Sequence, residues 1–288
     1  MKFFYTIIVC CATQCLQAQG LGLEVFGGVV NYQGDLRQEV YTFQGVRMGA
    51  GVGITYDLNK RFQARAMLMS GSISADDKNN KDPRLYYRNL NFRTNITEVS
   101  LQLLFHLLNN ESAPINPYAI GGIALFRFNP FTQDQSGQKY FLQPLGTEGQ
   151  GLPGYPEPLY KLNQLSLPVG GGIAFRINEQ VTLAWEICFR MTLTDYIDDV
   201  STVYADEFDL LIGRGPKSLE LAFRGWELPG VNPIFPTGYP SGFIRGNPNA
   251  NDWYYFSGIK ANIRLKTPER SGSSKWKKSK GSTSCPKW

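Results

Sequence analysis

The stretch Val181-Thr182-Leu183-Ala184-Trp185-Glu186-Ile187-Cys188-Phe189-Arg190 decides the fold. Its odd positions, Val181, Leu183, Trp185, Ile187 and Phe189, are all apolar, while Glu186 and Arg190 fall on the even ones. A period of two that separates Trp and Ile from Glu and Arg describes a strand with one greasy and one charged face. The same alternation recurs on both sides of this stretch. It predicts strands over 21–31, about 46–56, 62–71, 98–107, 118–128, 165–177, 181–190 and 253–265. Short connections at 57–61, 109–116 and 178–180 alternate strictly with longer ones at 32–44, 72–92, 129–163 and 192–251. The expected fold is all-β, an eight-stranded antiparallel transmembrane β-barrel with short periplasmic turns and long extracellular loops. A soluble β-sandwich also alternates, but has no reason to sort its loops by length onto opposite ends.

The chain divides into three parts. Residues 1–18 read as a signal peptide, with Lys2 as the positive region, Phe3–Ala12 as the apolar core and Leu16-Gln17-Ala18 as a cleavage site. That apolar core falls short of the ~20 residues a membrane-spanning helix needs. Gln14 before Cys15 speaks against lipidation, since a small residue belongs there. Residues 19–266 form the barrel, and 267–288 a basic, low-complexity periplasmic tail expected to be disordered. Beyond the signal only Cys188 and Cys285 remain, so no disulfide framework is expected. The net charge of +5 is concentrated partly in the tail, which we read as touching acidic lipid or a protein partner, not nucleic acid.

An eight-strand barrel has an interior just wide enough for side chains to fill. Parity along the strands places Glu24, Arg47, Arg65, Glu98, Arg127, Arg176, Glu186, Arg190, Lys260 and Arg264 inside. Charges buried there persist only when paired, so the expectation is a salt-bridged plug and no diffusion pore. Gly49, Gly51, Gly53 and Gly170–Gly172 are expected to leave room for guanidinium groups. Enzyme chemistry finds little support. The single histidine, His106, has no Ser or carboxylate motif around it for a catalytic triad or a metal site. Catalytic, cofactor and metal residues are all expected to be absent. The acidic run Asp195, Asp198, Asp199 and Asp206 is a conceivable calcium site, although pairing with Arg214 and Arg245 is the plainer reading.

Five segments together carry a resemblance: Asn31–Leu36, Arg88–Arg93, Leu142–Gly151, Thr194–Ser201 and Arg245–Tyr254. In this order they resemble the PorG-like outer-membrane barrels of Bacteroidota type IX secretion systems. The resemblance implies a non-enzymatic outer-membrane component of a protein-secretion machine. It would sit in outer-membrane lipid and anchor or assemble a periplasmic ring lipoprotein with its associated secretion subunits. The middle of the fourth loop and the tail look individual, and nothing transfers there. Docking residues are expected on the short-turn rim, at Asp57, Asn59, Lys60, Arg61, Asn109, Glu111, Asn178 and Glu179, and on the tail at Lys275, Lys277 and Lys278. The five segments themselves read as loop-folding signatures, or alternatively as a surface for a second partner. The competing function is a general small surface or adhesion-type barrel with no secretion role.

Overall fold

A computed structural model of the chain describes residues 20–37, 45–110, 112–228 and 239–265. The signal-peptide and tail assignments therefore lie outside the described residues. Eight long strands build the wall: β1 (Leu21–Gln33), β2 (Arg47–Asp57), β3 (Phe62–Asp76), β4 (Asn91–His106), β5 (Ile115–Arg127), β8 (Asn163–Arg176), β9 (Val181–Thr192) and β10 (Trp253–Arg264). Each pairs antiparallel with its neighbours in the order β3-β2-β1-β10-β9-β8-β5-β4, and the β3–β4 pairing closes the ring. No edge strand of the wall is left to aggregate. A small hairpin, β6 (Phe131–Gln133) and β7 (Lys139–Phe141), continues from β4 above the wall. The long loops also hold three short helices: α1 (Pro83–Arg88), α2 (Glu207–Gly213) and α3 (Pro216–Ala222).

The predicted alternation is present on every strand. On β4 the outward row Phe105, Leu103, Leu101 and Val99 is exposed, while Leu104, Gln102, Ser100 and Glu98 between them are buried. Leu101 is 60% exposed and Trp185 46%, values that would be costly in water for so many large side chains. All eight strands contribute to this apolar belt. Along β8 it runs from Leu165 to Phe175. Ten residue steps cover ~33 Å of strand, or ~25 Å of height once tilted by about 40°.

Strands β3 and β4 outrun the prediction. Their ladder continues to Asp76↔Asn91, within what reads from sequence as the loop 72–92. The polar residues there conceal a strand because both faces lie beyond the belt. The glycine expectation is also corrected. A Cβ at Gly51 or Gly53 would strike the sulfur of Met69 or Met67, and one at Gly172 the Tyr118 ring. These glycines make room for methionine and tyrosine, not for guanidinium groups.

Candidate functional site

The interior is layered from the short-turn end upward. At the mouth, Arg264 pairs with Asp57 at 2.7 Å. Asp57 also accepts from Gln63 Nε2 at 2.7 Å and from Asn110 Nδ2 at 3.3 Å, so it ties two turns together. Arg176 sits half-buried at the same mouth on the inward register. His106 is buried against the Tyr118 ring, and neither ring nitrogen has a hydrogen-bond partner. It lines a cavity of only 40 Å³.

Above the mouth lies the plug. Arg65 bridges Glu24 at 3.2 Å and Glu186 at 2.9 Å, and Lys260 pairs with Glu24 at 3.0 Å and with Glu186. Gln102 accepts from Arg65, and the Tyr118 hydroxyl donates to Glu186 at 3.0 Å. A second pair is bidentate: Arg190 Nε and Nη2 each reach Glu98 at 2.9 Å. Tyr254 donates to the same carboxylate at 2.8 Å, and the Arg190 guanidinium lies 4.7 Å from the Phe256 ring centre. All six charged residues are buried, and every carboxylate has a cation. Such geometry offsets the desolvation that buried ions otherwise incur.

Two of the ten lumen assignments are corrected. Arg127 faces outward, on the row of Ile123 and Leu125, and is exposed. It lies at the long-loop end of β5, beyond the apolar belt. Arg47 stands on the inward register opposite Val30, but at the tip of β2 beyond the β2–β3 ladder, and its Nε reaches out of the lumen to Ser74 Oγ at 3.3 Å, on the outward row that Arg93 shares. What fills the upper interior is aromatic, not ionic. Phe26, Phe126, Phe128, Tyr254 and Phe256 pack there with Val30, Met67 and Ile96. That layer left no mark in the charge pattern from which the plug is read.

The long loops fold into a cap with its own buried core. Arg88 pairs with Asp77 through Nε at 2.7 Å and Nη2 at 2.8 Å, and its Nη1 donates to the Arg245 carbonyl at 2.5 Å. Arg245 in turn pairs with Glu148 at 2.9 Å and donates to the Asp199 carbonyl at 2.6 Å. Glu148 accepts from the Ser201 and Thr202 amides at 2.9 and 3.0 Å. Tyr32 donates to both Asp198 and Asp252, and Asp252 accepts from the Ile197 amide at 2.8 Å. Each of the five segments quoted for the resemblance therefore supplies residues to one hydrogen-bonded core. Gly246 is part of it: a Cβ there would strike the Asp35 carboxylate.

Three of the four aspartates considered for calcium, Asp198, Asp199 and Asp206, are spent on protein donors, while both carboxylate oxygens of Asp195 are buried without a hydrogen-bond partner among the described residues. Asp199 accepts from Thr147 Oγ1 at 2.6 Å and the Tyr160 hydroxyl at 2.7 Å, and lies 3.8 Å from Arg245. Burial still lifts its carboxyl to about 6. Asp198, buried and near Asp35, is pushed up to about 8. Asp206 caps α2, accepting from the Phe208 and Asp209 amides. Arg214 donates to the Gln150 carbonyl, not to this group. Among the described residues no set of three or more His, Cys, Asp or Glu is arranged to hold a metal ion. A cavity of 390 Å³ lies on the cap between α1 and the fourth loop, walled by Leu85, Tyr87, Tyr204, Phe223 and Phe243.

On the short-turn rim, Asn59, Lys60, Arg61, Asn178 and Glu179 are exposed and Asn109 is half-buried. The side chains of Asn59 and Asn178 each accept two backbone amides of their own turn. Glu111, Lys275, Lys277 and Lys278 lie outside the described residues. Cys188 is a free thiol buried in the wall.

Fold and interior together define a closed antiparallel barrel of eight strands, plugged by ions and capped at one end. A family model described as a domain of unknown function, DUF6089, matches residues 1–141. A search of curated protein sequences returns no match. Among solved structures the chain is similar to Neisserial surface protein A, at 8% identity over 86% of this chain and 98% of that one, with a TM-score of 0.42. It is also similar to Ail, the attachment invasion locus protein of Yersinia pestis, at 8% identity over 85% and 99%, with a TM-score of 0.39. A major outer membrane protein from Thermus thermophilus shares 12% identity over 86% and 100%, with a TM-score of 0.40. At these identities and scores the likeness adds nothing to the strand pairing already described.

Proposed function

We propose that the protein spans the outer membrane as a sealed, non-enzymatic barrel that anchors a periplasmic assembly. The observation that carries the membrane placement is the ring of exposed large apolar side chains, contributed by all eight strands, around a fully paired ionic interior. Its ~25 Å height suits the apolar band of bacterial barrels. Short turns of such barrels face the periplasm, which orients the cap toward the cell exterior and the termini inward. A plugged lumen leaves surfaces, and not a pathway, as the means of action.

The periplasmic partner is the finer part of the reading. Support comes from the resemblance to type IX secretion barrels and from exposed Lys60, Arg61 and Glu179 on the rim. These would contact a ring lipoprotein, with Lys275, Lys277 and Lys278 of the tail alongside. The test is co-purification in mild detergent followed by mass spectrometry. Lys60→Glu with Arg61→Glu, combined with removal of residues 267–288, is expected to deplete a periplasmic lipoprotein from the wild-type complex. Unchanged recovery, also when Glu179 is reversed, would remove the docking surface. The folded cap favours a second reading, a surface or adhesion-type barrel, in which no periplasmic partner co-purifies with the wild type at all.

A further inference from the structure

One polar cleft on the rim is used by neither the plug nor the cap core. The outward row of β4 leaves the belt at Val99 and continues through Thr97 and Asn95 to Arg93. Arg93 pairs across the ladder with Ser74 of β3. From the other flank, Arg47 Nε donates to the Ser74 hydroxyl at 3.3 Å. Arg37, which also lines this place, donates through Nη2 to the Ser74 carbonyl at 3.1 Å, and Arg47 and Arg93 flank the same serine from the strands on either side. Both line a cleft of 360 Å³ whose other polar walls include Asn79, Asn91 and Gln133.

Neither Arg47 nor Arg93 forms an ion pair among the described residues. Asp76 also lines the cleft, but stands out of ion-pair reach of both and accepts the Lys78 amide in its own turn. Arg47 on β2 and Arg93 on β4 stand on either side of β3 and line one cleft, where their like charges favour an anion between them. Guanidinium groups favour phosphate because their planar fork offers two parallel N–H donors to two oxygens. The height of the cleft says where that phosphate comes from. Arg47 directly follows, toward the cap, the outward Met48, which is 77% exposed and is the last apolar residue of β2 at that end. The cleft opens where hydrocarbon gives way to headgroups.

We propose that Arg47 and Arg93 bind the phosphate of an outer-leaflet lipid headgroup, fixing the barrel's rim to its surrounding membrane. This inference rests on the membrane-spanning reading above, and the experiment separates the two. The full mature chain is inserted into phosphatidylcholine nanodiscs containing either lipid A or its dephosphorylated form, and insertion is scored first. Bound lipid is then counted by native mass spectrometry after release. Wild type is expected to retain lipid A, with occupancy falling about tenfold in the Arg47→Gln/Arg93→Gln variant and for the dephosphorylated lipid. Arg93→Gln alone, at an exposed position that folding does not need, is expected to show an intermediate loss. Equal retention by the variants, or by dephosphorylated lipid, overturns the site. Complete displacement of lipid A by millimolar inorganic phosphate overturns the lipid as its source. Failure of the wild type to insert at all overturns the membrane reading, and the site with it.

Discussion

Asp195 shows how much one side chain can ask of its surroundings. It is buried in the cap, and with Asp35, Asp198 and Glu148 nearby its carboxyl is pushed up to about 9. In an opened cap it returns to roughly 3.9. Between those values the closed cap holds a proton that the open one releases, so closure weakens as pH rises through this window and is strongest below it. Asp198, raised to about 8, acts in the same direction. Hydrogen exchange at the Ile197 and Val200 amides, corrected for intrinsic base catalysis, is therefore expected to lose protection from about pH 5 to about pH 9. Asp195→Asn is expected to flatten that slope. Protection independent of pH, or a variant as steep as wild type, would contradict the assignment. Little of this is legible in the sequence. The run Thr194–Ser201 announces acidity and turns, but Arg245, Glu148 and Tyr32, which fix its fate, come from three distant segments.

At the scale of the element, the strand is the unit that sequence specifies well. A period of two in Val181–Arg190 leaves one register, because a slip by one residue would turn Trp185 inward and Glu186 into the belt. Once that row is fixed, Glu186 and Arg190 must point inside, and the structure places both there. Six of the assigned charges meet in the plug for this reason. The parity of Arg127 is equally readable from Ile123 and Leu125, and counting outward from those residues gives the exposed face. Helices are harder, being short and without an apolar stripe. Only punctuation marks them: Asp82 before Pro83 caps α1, and Asp206 caps α2. The bidentate Glu98–Arg190 pair links β4 to β9 across the interior, and supports a direct test. Glu98→Gln or Arg190→Met alone is expected to cost about 3–5 kcal/mol, because each strands its partner in a buried site. Glu98→Gln with Arg190→Met is expected to cost clearly less than the two summed. Urea midpoints of the folded barrel in detergent micelles give these values. Additive losses would show that the two groups do not depend on each other.

For the whole molecule, two surfaces of opposite character share a wall one residue thick. Apolar side chains coat the outside, while ions and then rings fill the inside. Closure of β3 on β4 makes this division complete, since every backbone group of the wall has a neighbour strand. The loops sort by length because the two ends have different work: short turns sealed around Asp57 at one, a folded cap at the other. Neither end provides a route through the centre, so anchoring and contact are the actions left to the proposed barrel. All of this depends on hydrocarbon meeting the belt. Trp185, outward on β9 and 46% exposed, reports on this directly. In a variant retaining only that tryptophan, reconstituted in bilayers with brominated acyl chains, its fluorescence is predicted to be strongly quenched by the lipid and barely touched by aqueous acrylamide. Quenching by acrylamide, with none from the brominated chains, would contradict the central claim.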